Sequence, residues 1–275
     1  MMTCTALATI FSACGEDTGS LNVTTFGEDF IELGIPVATG PDVEGVVDGF
    51  EVRYDTFMVV LSDLEVADRN GSVGHRDEDA RVFDMTLTGP HPVTTVESLE
   101  AQRWDQIGLA LRPATSVVPM NVDTEDANFM RDRGYSSYVE GEATRGSESY
   151  RFAWGFTTAT AYDECEDADQ DLGVVVPTGG TASMEITIHG DHFLYDDLQD
   201  DDADLRFQAI ADADANQDGE VTLEELDAVN LDTLPSDLYG TGGDGSVNTL
   251  RDYLEAQSRT LIHFQGEGDC RQTRL

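Results

Sequence analysis

Glu51-Val52-Arg53-Tyr54-Asp55-Thr56-Phe57-Met58-Val59-Val60-Leu61 is the stretch that decides the fold. Val52, Tyr54, Thr56, Met58 and Val60 alternate with Arg53, Asp55, Phe57, Val59 and Leu61, so both faces of an extended chain carry apolar groups. Such a strand belongs in the middle of a sheet that is covered on both sides. Outward from it, Asn70-Gly71 marks a turn, and further strands are predicted over 81–87, 104–112, 134–143, 151–161, 172–176 and 182–189. Residues 15–48 read as a linker followed by a first strand. Short strands, Gly and Asp turns and few helix signals predict an antiparallel β-sandwich over 49–196.

The character changes at Asp196-Asp197-Leu198-Gln199-Asp200-Asp201-Asp202, an acidic run that the helix dipole would favour at a helix N-terminus. Residues 203–257 read as helical with two loops. Leu261-Ile262-His263-Phe264 is strand-like again and is expected to return to the sheet. Residues 197–259 would then be a helical insertion, and 260–275 a C-terminal strand and Cys-containing tail. The fold class expected is mainly β with an α insertion.

Of the 275 residues, 55 are acidic and 15 basic, for a formal net charge of −40. Every basic residue is Arg. This surface repels phosphate backbones and anionic lipid headgroups, which excludes nucleic acid as a partner, and it attracts divalent cations. Apolar residues make up 40% of the chain, enough for a core. No apolar run approaches the ~20 residues of a membrane-spanning helix.

Residues 1–14 are apolar or small, carry no charge and end in Phe11-Ser12-Ala13-Cys14. This resembles a bacterial lipoprotein signal with its lipobox. It implies an exported protein in the periplasm or at the cell surface, lipidated at Cys14 and anchored to the membrane through that lipid. Removal of Cys4 and lipidation of Cys14 leave Cys165 and Cys270, an even remainder that suggests one disulfide. No CxxC spacing is present.

The motif richest in chemistry is Asp214-Ala-Asn216-Gln-Asp218-Gly219-Glu220-Val221-Thr222-Leu223-Glu224-Glu225, which fits the twelve-residue EF-hand calcium loop position by position. Calcium wants six to eight oxygens. Asp214, Asn216 and Asp218 offer side-chain oxygens, and Gly219 permits the left-handed bend. Glu220 offers its carbonyl, Thr222 its hydroxyl or a water, and Glu225 a closing bidentate carboxylate. Phe207, Ile210 and Ala211 before the loop, and Leu223, Leu226 and Val229 after it, give apolar stripes to flanking helices. A second frame, Gly240 to Arg251, keeps Asp244, Gly245 and Val247 but lacks acids at positions 1, 3 and 12. It reads as a degenerate partner loop pairing Val247 with Val221, or as a glycine-rich connector. The insertion is thus expected to be an EF-hand subdomain binding one Ca2+.

Three of the five histidines form a second candidate site. His189 and His192 lie in Thr187-Ile188-His189-Gly190-Asp191-His192, and His263 lies in the C-terminal strand near Glu267. A bulge at Gly190 would bring His189 and His192 to one side. Three imidazoles with an acid suit copper or zinc. The alternative is a hydrogen-bonded turn in which His and Asp cap backbone groups.

An ordered series carries one resemblance: the strand around Val52 to Asp63, Val82-Phe83-Asp84-Met85, Trp104 to Leu111, Asn128-Phe129-Met130, Gly134-Tyr135 to Glu140-Gly141, and Arg151 to Phe156 ahead of Cys165. Over about residues 49–196 the chain resembles the methanobactin-associated periplasmic protein (MbnP-like) family. The resemblance implies a β-sandwich and a periplasmic or surface location. Some family members bind copper through His and an oxidised Trp. Here Phe129-Met130-Arg131-Asp132-Arg133 has no Trp, and Ala153-Trp154 stands where the His should follow Phe152, so those copper residues do not carry over.

No Gly-x-Ser-x-Gly elbow, phosphate-binding glycine loop or His-Glu-x-x-His helix is present, and no enzymatic activity is expected. The sequence leads to an exported, lipid-anchored calcium-binding protein. The alternative is a periplasmic copper- or zinc-handling protein using His189, His192 and His263.

Overall fold

The computed structural model describes residues 17–40, 43–200, 203–235 and 238–275. The expected signal segment 1–14 and its Cys14 lie outside the described residues. The chain is mainly β, with few and short helices.

In the first half the strands are β1 (Thr18–Gly27), β2 (Glu51–Ala67), β3 (Val73–Asp77), β4 (Arg81–Asp84), β5 (His91–Glu100), β6 (Arg103–Trp104), β7 (Gln106–Leu111) and β8 (Val118–Pro119). They continue as β9 (Ser137–Arg145), β10 (Glu148–Phe156), β11 (Thr160–Asp163), β12 (Val174–Val175), β13 (Thr181–Ile188), β14 (Glu220–Val221), β15 (Ile262–Phe264) and β16 (Arg271–Arg274). The helices are α1 (Asp29–Glu32), α2 (Thr124–Arg133), α3 (Gln208–Ala211), α4 (Leu223–Asp227) and α5 (Leu250–Gln257).

One sheet has the order β15-β13-β1-β5, and a larger one runs β14-β10-β9-β2-β7-β11-β16 with β3, β4 and β8 alongside. The main core draws on both, with Leu21, Val23, Ile186 and Ile188 from one and Val52, Phe57, Val139 and Trp154 from the other.

β2 is central, as its composition predicts. It pairs with β9 from Glu51 to Val59, with β4 from Met58 to Leu61 and with β7 from Leu61 to Ala67. The face assignment within it needs correcting. The register with β9 shifts between Tyr54 and Thr56. That extra residue advances the side-chain phase by one. Phe57, Val59 and Leu61 therefore continue the core face of Val52 and Tyr54. Met58 and Val60 turn to a small second cluster with Val82, Ala127 and Met130. Helix α2 covers that face. Asp123 caps it by accepting from the Glu125 and Asp126 amides, and Gly134 ends it in the left-handed conformation at φ 67°. Its mostly polar residues gave no apolar stripe by which to find it. β5, likewise unpredicted, is half exposed and pairs with β1.

Among the described residues of 203–257, the helices are the short α3 to α5 and a 3-10 turn at 231–233, less helix than expected. The described residues of the acidic run, 196–200, start no helix. Asp196 is buried, where it accepts from the Arg206 guanidinium and the Asp204 amide. Val221 does not pair with Val247. It pairs in parallel with Phe152 of β10, and the Trp154 indole donates to the Val221 carbonyl at 2.8 Å. The edge of β10 takes up its backbone instead. Gly240 instead bridges to Asp197, and Thr249 to Asn230.

The tail returns as predicted. β15 pairs with β13, Cys270 bonds to Cys165 across a sequence separation of 105 residues, and β16 pairs with β11. The last fourteen residues thus cross from the small sheet to the large one. Closing a loop of that length restricts the unfolded chain by about 4–5 kcal/mol in the chain-entropy picture. Urea unfolding of the Cys165→Ser/Cys270→Ser protein should show a loss of this order; a midpoint equal to wild type would contradict it.

Candidate metal centre

Three chain segments meet at one end of the small sheet. β1 and β13 run parallel with Gly27 opposite Ile188, so Glu28 leaves β1 beside His189. The Glu28 amide donates to the Ile188 carbonyl at 3.1 Å. β15 lies on the other edge of β13 with His263 opposite Thr187. After His189 the chain makes a 3-10 turn over Asp191–Leu194. This turn, and not a bulge, carries His192 round to His189. Gly190 is needed there for space, since a Cβ would lie 2.5 Å from Ile31 Cγ1 and 3.0 Å from Tyr54 Cε2. The Tyr54 hydroxyl pins the turn by donating to the Gly190 carbonyl at 2.6 Å.

The predicted trio is brought together. Ring centroids are 4.2 Å apart for His189–His263, 5.1 Å for His192–His263 and 5.6 Å for His189–His192. One ligand atom from each lies within 4.8 Å of the others, and the same holds for Glu28, His189 and Asp191. Donors around a tetrahedral ion at ~2.1 Å sit roughly 3.4 Å apart, so small side-chain rotations would close either set on an ion.

Surrounding groups orient the imidazoles. Thr260 donates its only hydroxyl proton to the Gln257 carbonyl at 2.9 Å, so at 2.7 Å it accepts from His192 Nδ1. That leaves His192 Nε2 with a free lone pair. His189 Nε2 faces the Gly266 carbonyl at 3.4 Å, which can only accept, so its Nδ1 lone pair looks toward Glu28 Oε2 at 3.7 Å. His263 Nδ1 is buried without a hydrogen-bond partner.

The electrostatics suit ligation. Burial pushes His192 down to about 3, helped by His263 and His189 and opposed by Asp191. Burial and the neighbouring His189 also lower His263. Both are neutral near pH 7, the state in which imidazole binds metal. Glu28 is pushed far above the carboxylate range by burial and by the charge of Asp191. Asp191 Oδ2 accepts from the Tyr195 hydroxyl at 2.8 Å, while Oδ1 is buried with no partner. Glu28, His189, Asp191, Tyr195 and Glu267 line a cleft of about 510 Å³ that opens beside the histidines. Asp191 was not among the expected ligands, although its place between two histidines was the signal that could have found it. Glu28 gave no signal, because only the β1–β13 pairing brings it here.

The predicted calcium ligands share one loop at the edge of the large sheet. Asn216 Oδ1 accepts from the Asp218 amide at 2.8 Å and Asp214 Oδ2 from the Gly219 amide at 3.0 Å. Gly219 takes the left-handed conformation at φ 76°. Glu220 begins β14, and Thr222 caps α4. Glu225 folds back on that cap, its Oε2 accepting from the Thr222 amide at 3.0 Å and hydroxyl at 2.9 Å. The carboxylates of Asp214, Asp218 and Glu225 are not among the groups that converge to ligand distance.

No protein-family model matches this chain, and no curated protein and no solved structure matches it.

The His192 shift sets a pH dependence. Its folded value lies below its unfolded one of ~6.5, so stability is whole above that pH and is lost as pH falls toward about 3. At pH 5 the loss from this group is about 2 kcal/mol. Glu28 acts in the opposite sense, since its folded carboxyl keeps a proton that the unfolded chain releases. Comparison with a variant separates the two. Metal-free His192→Asn should lose about 2 kcal/mol less than wild type between pH 7 and pH 5 in urea unfolding. Parallel pH profiles for the two proteins would refute the assignment.

Proposed function

We propose that this protein binds a transition-metal ion, copper or zinc, at His189, His192 and His263. The observation that carries the reading is the meeting of three imidazoles within ligand distance of one another, with the second nitrogen of His192 held by Thr260. Three nitrogen donors suit these borderline metals better than calcium or magnesium. The protein's role is to bind or deliver the ion at the cell envelope. Export is supported by the segment ending at Cys14 and by the Cys165–Cys270 disulfide, a bond that persists in oxidising compartments. Two sheets with a common core support a β-sandwich, in keeping with the MbnP-like resemblance. The region between β13 and β15 is the insertion.

A second reading stands beside it, carried by the left-handed Gly219 in a loop of EF-hand spacing. In it, Asp214, Asn216, Asp218, Glu220, Thr222 and Glu225 hold one Ca2+ as a structural ion. Glu225 must leave Thr222 to close on the ion.

Elemental analysis of the purified protein should find one copper or zinc per chain, absent from the His192→Ala and His263→Ala proteins. Thr260→Val keeps all three ligands and should weaken metal binding by about 10–100-fold, the usual scale for an orienting hydrogen bond. Unchanged metal content in the His variants would end the reading. For the loop, terbium luminescence should report one calcium-displaceable site that Glu225→Gln weakens; equal titrations would remove the calcium reading.

A further inference from the structure

We propose that the floor of the cleft is a second cation position, formed by Glu28 and Asp191 on the open side of His189, so that the centre holds two ions. The proposal extends the three-histidine reading and keeps its ligands. His189 belongs to two ligand sets, one with His192 and His263 and one with Glu28 and Asp191. The sets form two groups and not one. Not all five donors lie within 4.8 Å of one another, so in this arrangement one ion does not take all of them.

The sides also differ in chemistry. Toward the interior the donors are nitrogens. Toward the cleft they are carboxylate oxygens, with Glu267 also on the cleft wall. Asp191 lines this cleft while only 6% exposed, and its Oδ1 is buried without a donor from the residues around it. The Glu28 and Asp191 side chains also share a hydrogen bond, so a cation entering here takes the place of the proton that the pair holds. Glu28 is held in place by the Gly190 amide, which donates to Oε1 at 3.0 Å and leaves Oε2 on the His189 side. No Arg lines the cleft among the described residues. Oxygen donors of this kind select a hard divalent ion such as Mn2+, and nitrogen donors a borderline one such as Zn2+.

The test is sequential loading with Zn2+ and then Mn2+. Both are counted by elemental analysis after gel filtration, and bound Mn2+ by electron paramagnetic resonance. Asp191→Asn and Glu28→Gln are nearly isosteric, and each keeps its contact to Tyr195 or Gly190. Manganese taken up by the Asp214–Glu225 loop is common to all variants and cancels. Wild type should retain one more Mn2+ per chain than either variant, with zinc unchanged. His263→Ala should lose zinc and keep that Mn2+. Replacing Zn2+ by Cu2+ should broaden the Asp191-dependent manganese signal through the nearby unpaired spin. Equal manganese in wild type and both variants overturns the proposal, as does joint loss of zinc and manganese in Asp191→Asn, which would mean a single mixed-ligand ion. Asp191-dependent manganese in a protein that takes no zinc supports the cleft position and sinks the histidine reading alone.

Discussion

The pairing of β13 with β1 on one edge and with β15 on the other is the constraint on which the centre depends. These strands come from the beginning, the last third and the end of the chain. Their register sets Gly27 against Ile188 and Thr187 against His263. A one-residue slip in either ladder would send the next side chain to the opposite face. His263 stays in register because β15 is held from both ends. Upstream, Thr260 closes onto Gln257 at the end of α5; downstream, the hairpin bond between Phe264 and Gly268 leads to Cys270. The disulfide thus supports the geometry of a site it does not touch.

Burial gives the site its chemistry and its cost. An imidazolium or a carboxylate loses hydration on entering the interior, so the charged forms of His192 and Glu28 are both disfavoured. Neutral imidazoles with outward lone pairs remain. Each unsatisfied buried polar atom costs on the order of 1–3 kcal/mol. Asp191 Oδ1 and His263 Nδ1 are two such atoms within one small region. The hydrophobic core around Phe193, Leu194 and Ile188 offsets that cost and anchors the turn by burial.

Much of this was legible in the chain. The central strand, the return of Leu261–Phe264 to the sheet, the disulfide and the histidine trio all rest on local pattern or on simple counting. The elements that escaped notice depend on context. α2 is mostly polar, and its few buried residues meet Met58 and Val60 only because a bulge in β2 turns these two outward. Glu28 is one acid among 55 and becomes a site residue only through a parallel pairing with a strand some 160 residues away. Val221 pairs with the edge of β10, where the ladder takes its backbone and a Trp indole bonds its carbonyl, a partner that the loop pattern alone does not show.

The net charge of −40 bears on the centre in a way composition alone does not reveal. A surface of that sign draws in divalent cations of every kind, through a field that salt screens within about 8–10 Å. It raises the local concentration of hard ions most, because exposed carboxylates are hard ligands. Selection must therefore happen where exposed carboxylates do not compete. The histidines satisfy that condition: His189 and His192 are 3% and 7% exposed, and His263 packs against both. On the proposed reading, an ion passing from the acidic cleft to the imidazoles would exchange oxygen ligands for nitrogen ones. That exchange favours copper and zinc and disfavours calcium and magnesium. On the proposed reading, the acidic surface would set how fast cations arrive, and the buried imidazoles which one stays.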